Sequence, residues 1–271
     1  MKNNYKFLLL IPVIMLILLF GCRKPASTTT QQKAFFGVHL HTYIDTNLVS
    51  TGLSANTEYA QWFQDHNGRW MNITTANVYF TNVGLLSATT GQWYTLQGTI
   101  RMKRMEYEEY DLDSVPVDTY DNVRFTVGLG PGYNNNPPSY YSGAGIPATD
   151  SVLSTSESVM YANPGYYFLY LTGNVDTSAG HNLIHPIPFS YQLAGDTFQV
   201  SPPTAAQGNS FSIIPNVPGA QLVHIIFDYG KLLQSFHITS PVNIKSTTPT
   251  PVLDSIPGMF RYECSVPNGD C

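Results

Sequence analysis

The residues best suited to chemistry are His39 and His41, in the stretch Phe36-Gly-Val-His-Leu-His-Thr-Tyr-Ile-Asp-Thr-Asn47. Side chains of an extended chain alternate between two faces. Phe36, Val38, Leu40, Thr42 and Ile44 therefore share one side, and Gly37, His39, His41, Tyr43 and Asp45 the other. Two imidazoles so placed are roughly 6.5–7 Å apart along the strand, and their ring nitrogens can lean onto one metal ion. The spacing alone does not separate an ion site from two hydrated rings, so the elements around it must decide.

The composition limits those elements. The chain has 271 residues, of which 43% are hydrophobic and only 11% charged, against the usual proportion of about a quarter charged. Thr, Ser, Asn and Tyr supply the polarity instead, which suits strands and turns in an extracytoplasmic medium. The net charge is −5 and the few Lys and Arg are dispersed, so nucleic acid is not an expected partner. Ser, His and Asp are abundant, but no Gly-x-Ser-x-Gly elbow, zincin helix or acid pair is present. We expect a binding protein and not an enzyme, although a His-x-His with a third histidine could in principle hold a catalytic zinc.

Residues 1–21 read as a lipoprotein signal peptide. Lys2 and Lys6 precede the apolar run Phe7 to Phe20, which is short for a membrane-spanning helix. The run ends in Leu19-Phe20-Gly21-Cys22, which matches a bacterial lipobox, so Cys22 is the expected lipidation site. Acyl chains on Cys22 would tether the protein to a membrane. The expected location is the cell envelope, on the outer membrane, facing the periplasm or the exterior. Residues 22–33, with Pro25 and a Ser-Thr-Thr-Thr run, read as a flexible tether, and 34–271 as one β-domain. Export leaves Cys264 and Cys271 as an even pair in an oxidising compartment, expected to form a small C-terminal disulfide loop. A two-cysteine metal site is the less favoured alternative.

Within that domain, Asn77–Leu86 alternates as a strand and Gln92–Leu96 as its hairpin partner. Lys103, Arg104, Glu106 and Glu108 read as a solvated charged run. Asn122–Gly128 is a strand, Gly165–Leu171 a central aromatic one, and Pro188–Leu193 another. Gly130–Ser158 is a long breaker-rich loop without the context of a phosphate cradle. In Gln221–Asp228, Val223, Ile225 and Phe227 face the core, and His224, Ile226 and Asp228 lie opposite, away from the interior. Tyr229–Leu233 could make one helical turn, and residues 242–245 and 259–263 closing strands. The fold class is all-β, an antiparallel β-sandwich or open barrel with long loops.

Several of these stretches, in this order, resemble the MbnP-like family. Asn77-Val-Tyr-Phe-Thr-Asn-Val-Gly-Leu resembles its Tyr-Tyr-Ile-Ser-Asn-Ile-x-Leu signature, and Val115-Pro-Val-Asp-Thr-Tyr-Asp-Asn-Val-Arg-Phe-Thr-Val-Gly-Leu129 its Val-Pro-x-Gly-x-Tyr segment. Gly165-Tyr-Tyr-Phe, Pro188-Phe-Ser-Tyr and Met259-Phe-Arg-Tyr-Glu263 follow in the family's order, so the likeness runs from about residue 35 to 263. The His39-x-His41 strand and the segment around His224 look typical of a lipoprotein branch from Bacteroidetes-like bacteria. The resemblance implies a β-rich, exported, copper-binding protein. In characterised relatives it implies histidines and a tryptophan oxidised to kynurenine, with a di-haem peroxidase partner. Here Val159-Met-Tyr-Ala-Asn-Pro-Gly165 holds no tryptophan, and Gln192 stands where the family often has histidine. The kynurenine and the peroxidase partner are therefore not carried over.

The expected copper ligands are His39, His41 and His224, because neutral imidazoles suit copper and its affinity tops the divalent series. Asp45 and Asp228 could act as extra ligands or orient an imidazole. His181 and His185 are reserve candidates on a loop, and His66 and His237 read as surface residues. A second reading is a non-metal or structural lipoprotein whose 18 tyrosines and long loops recognise a glycan or a protein.

Overall fold

The structure is a computed structural model that describes residues 31–44, 47–48, 62–64, 68–96, 100–105, 107–143, 145, 152–154, 160–161, 165–176, 178, 186–194, 198–200, 210–234, 238, 240–246 and 255–266. Cys22, Asp45, His66, His181, His185, His237 and Cys271 lie outside the described residues, as does the side chain of Cys264.

The described strands begin with β1 (Lys33–Ile44), β2 (Asn47–Leu48), β3 (Phe63–Gln64), β4 (Trp70–Ser87) and β5 (Trp93–Thr95). They continue with β6 (Ile100–Lys103), β7 (Glu109–Pro116), β8 (Asp118–Val127), β9 (Tyr167–Asp176) and β10 (Ile187–Ala194). The last are β11 (Phe198–Val200), β12 (Phe211–Ile213), β13 (Gln221–Asp228), β14 (Val242–Ser246) and β15 (Phe260–Val266). One sheet runs β15-β13-β1-β2, with β7 also paired to β1. The other runs β11-β8-β4-β9-β10-β14, with β12 on β8 and β3, β5 and β6 on β4. The architecture is an all-β sandwich and not a closed barrel.

β4 is longer than its alternation suggested, because Trp70–Asn77 continues the strand against β9 before the second half turns to β6, β8 and β5. The change from β6 to β5 falls between Thr81 and Gly84, at a register shift against β8 where Asn82 has φ 52°. Asparagine tolerates that left-handed conformation, and the extra residue of a bulge bends the strand. β5 closes the expected hairpin, with Gly84 opposite Thr95, and β9 is central, between β4 and β10.

Most pairings are antiparallel, but β1 with β13 and β10 with β14 are parallel. The β1–β13 pair positions the candidate site. β13 lies between β1 and β15, and all eight of its residues are buried. A parallel strand in mid-sheet is commonly covered on both faces. This corrects the expectation that His224, Ile226 and Asp228 face away from the interior. Their exposures are 0%, 4% and 3%.

On the opposite face of β13, Val223, Ile225 and Phe227 join Phe36, Val38, Leu40 and Ile44 of β1 in the main core. Phe125 of the second sheet reaches across to them, 5.1 Å from the Phe260 ring and 6.2 Å from that of Phe227. The aromatic surplus goes largely into such packing, since Tyr79, Tyr120, Tyr166, Tyr191 and Tyr229 are all buried. That weakens the reading of the tyrosines as a recognition platform.

β1 is hemmed in by β13 on one side and β7 on the other, and Gly37 is where they press hardest. A Cβ there would lie 2.8 Å from Leu222 Cδ2 and 2.8 Å from the backbone oxygen of Tyr110. The carbonyl cannot swing aside without moving β7. Gly37→Ala is therefore expected to cost about 1–3 kcal/mol, the usual range for overpacking, read as a lowered urea midpoint.

Candidate metal centre

The parallel register sets His39 directly beside His224, and the alternation of β1 places His41 next along the same face. The three rings form a compact triangle. Centroids lie 4.3 Å apart for His39–His41, 4.7 Å for His39–His224 and 5.3 Å for His41–His224. One potential ligand nitrogen from each ring lies within 4.8 Å of the other two. His41 Nε2 and His224 Nδ1 are already 3.1 Å apart. Two nitrogens bound tetrahedrally at about 2.0–2.1 Å from one ion would be roughly 3.3 Å apart, so this pair already stands close to ligand spacing.

The centre is half-closed. The His224 ring is fully buried, while the side chains of His39 and His41 are 12% and 13% exposed. Two carboxylates flank it. Glu108 Oε2 lies 3.2 Å from His39 Nε2, a contact in which the ring N–H donates and leaves Nδ1 with its lone pair. Such a carboxylate behind a histidine fixes its tautomer and the orientation of its ring. Glu263 Oε2 lies 3.7 Å from His41 Nε2, too long for a hydrogen bond.

Neither acid was singled out from the sequence. Glu108 sits in what reads as a solvated charged run, and the structure corrects that reading. The Leu40 N–H donates to the Glu108 carbonyl at 2.8 Å, which docks the residue onto β1. The turn before it is held by Lys103, also buried, whose Nζ donates to the carbonyls of Arg104 (2.8 Å) and Tyr107 (2.7 Å). Glu263 lies on β15, which reaches the site only because β13 pairs with both β15 and β1. Tyr43 follows the two histidines on their face of β1. Burial, then the Glu263 carboxylate, raises its phenol pKa above the usual value, and the Arg261 guanidinium, 5.3 Å over its ring, opposes this.

Asp228 is not brought to the three rings. It ends β13, and its Oδ1 accepts from the Lys231 N–H at 3.2 Å, capping the expected helical turn Tyr229–Leu233. The other reserve candidates, Asp45, His181 and His185, fall on residues not described.

Neutral imidazole nitrogens with carboxylates behind them suit a first-row transition ion. Among the described residues this is the one such group of three, and its members come from both strands of the parallel pair.

The chain matches the MbnP family model over residues 37–252. Among solved structures it is similar to MbnP from Methylosinus trichosporium, at 13% sequence identity and a TM-score of 0.49, over 83% of this chain and 87% of that one. Comparison with curated proteins gives no match.

Proposed function

Since this chain belongs to the MbnP family, we propose that it is an exported copper-binding protein, anchored through lipid on Cys22 and acting in copper storage or handling. The observation that carries the reading is the convergence of His39, His41 and His224 within 4.8 Å. Imidazole is a good copper ligand, and copper(II) outcompetes the other divalent first-row ions at a nitrogen site. Copper is also what the family resemblance leads one to expect. The ion would be held by the three rings, with Glu108 and Glu263 behind them, and the role is binding without turnover. The lipid would hold the domain at the outer membrane.

The test is equilibrium dialysis of the mature domain, residues 33–271, against buffered copper, followed by elemental analysis. One copper per chain, retained through a chelator wash, is the expected result. A chain that retains none would overturn the reading. In that case a glycan- or protein-binding lipoprotein becomes the better account, and substitutions of the histidines would leave its partner binding intact.

A further inference from the structure

We propose that Lys103 and Tyr110 are positioning residues of the metal centre, holding the crossover from β6 to β7 so that Glu108 fixes the ring of His39. The inference rests on the copper-binding reading and deepens it, because it places part of the centre's support on the opposite sheet.

The chain changes sheets at this crossover. Lys103 ends β6 and pairs with Val78 of β4 in one sheet, while Tyr110 lies in β7 and pairs with Val38 of β1 in the other. Glu108 comes just before Glu109, whose register partner is His39. Between the two strands the backbone turns, and its carbonyls need donors. Lys103 and Tyr110 supply them from their side chains. Lys103 Nζ donates to the carbonyls of Arg104 at 2.8 Å and Tyr107 at 2.7 Å. The Tyr110 hydroxyl donates to the same Tyr107 carbonyl at 3.1 Å and accepts from the Arg104 N–H at 3.2 Å. The Tyr107 N–H closes the turn on the Arg104 carbonyl at 3.4 Å, and Met105 is buried in the main core. Glu108 is then fixed from both sides, by this staple and by the Leu40 N–H that donates to its carbonyl at 2.8 Å.

A lysine with no exposed surface is costly to keep, and turn carbonyls elsewhere are commonly satisfied by water. What the buried Lys103 adds is a fixed end point for the turn. A turn that slackens carries Glu108 Oε2 away from its 3.2 Å contact with His39 Nε2. That contact selects the tautomer with its lone pair on Nδ1. The charge of the ammonium works the other way, because a cation near the centre repels an incoming ion. By charge alone, removing it would strengthen binding, so the sign of the effect separates the two roles. Tyr110→Phe changes no formal charge. Its ring stands edge-on to Phe80 with centroids 5.5 Å apart, and loss of the hydroxyl leaves that packing in place.

The experiment is a double-mutant cycle on the mature domain. Lys103→Met, Tyr110→Phe and Glu108→Ala are made singly, and each of the first two is combined with the third. Copper(II) affinity is measured by competition with a chelator, and the tautomer of His39 by nitrogen NMR of the metal-free domain. Glu108→Ala is expected to weaken copper binding about 10–100-fold. Lys103→Met should lose most of that factor, and Tyr110→Phe about 2–10-fold, the worth of one hydrogen bond. Neither should add to the loss once Glu108 is gone. In the metal-free domain the Nε2–H tautomer of His39 should give way to a mixture in all three single variants. Losses that simply add in the combined variants would overturn the proposal, because Lys103 and Tyr110 would then serve the fold and not Glu108. Unchanged or raised affinity in Lys103→Met, or an unchanged tautomer, would overturn it too. If Lys103→Met does not fold, Tyr110→Phe carries the same test with the same outcomes. A parent protein that retains no copper would defeat the copper-binding reading itself, and the tautomer measurement would still decide whether the staple holds Glu108 on His39.

Discussion

His224→Ala is expected to remove tight copper binding. Its ring is the fully buried member of the triangle and the only one of the three candidate ligands not on β1, so without it His39 and His41 offer a two-imidazole site on one strand. Loss of an outer-sphere partner commonly costs 10–100-fold in metal affinity. Loss of a direct ligand should cost at least about 100-fold by that yardstick. A second consequence is thermodynamic. An ion at about one hundred times its Kd stabilises the fold it binds by about 2.7 kcal/mol, and that increment should vanish in the variant. Competition titration measures the first effect, and thermal unfolding with and without copper the second. A variant that keeps both the affinity and the copper-dependent stabilisation would show that His224 is not a ligand.

Phe227→Ala is expected to be the most destabilising single substitution in the sheet that carries the site. Phe227 is completely buried three residues beyond His224, on the opposite face of β13. Its ring packs edge-on against Phe260 at 4.4 Å and parallel to Phe125 of the other sheet at 6.2 Å. Truncating such a residue leaves a cavity and typically costs about 3–5 kcal/mol, a large share of the 5–15 kcal/mol that holds most domains folded. The urea midpoint should fall accordingly, with the slope unchanged. Copper affinity at temperatures where the variant stays folded should fall far less than in His224→Ala, because no ligand has been removed. A loss below about 1 kcal/mol would mean that the two sheets do not meet through this ring.

The sequence showed β1 well, because its one-in-two alternation survives in the fold. Phe36, Val38, Leu40 and Ile44 are buried, and His39, His41 and Tyr43 lie on the half-open face. The hairpin of β4 with β5 and the turn at Tyr229–Leu233 were equally readable, since local chemistry decides them. The pairing of β1 with β13 was not. Nothing local in residues 221–228 distinguishes a parallel central strand from a half-exposed one, and its partner lies more than 180 positions away, His41 to His224 being 183 apart. The alternation that sets His224 opposite Val223 and Ile225 does place its ring on the side of His39 and His41, but carries no sign of its burial. Glu108 and Glu263 were missed for the same reason. Their role depends on which strands flank β1 and β13, and a carboxylate in a charged run carries no local sign of that. Asp228 shares the alternation of His224, but its position at the strand end places its carboxylate at the start of a helical turn.

The most direct measurement is X-ray absorption at the copper edge of the copper-loaded mature domain. Coordination dominated by nitrogen at about 2.0 Å, with the outer-shell scattering of three imidazoles, is the result expected. A spectrum dominated by sulfur, or one with fewer than two imidazoles, would contradict a centre built from His39, His41 and His224.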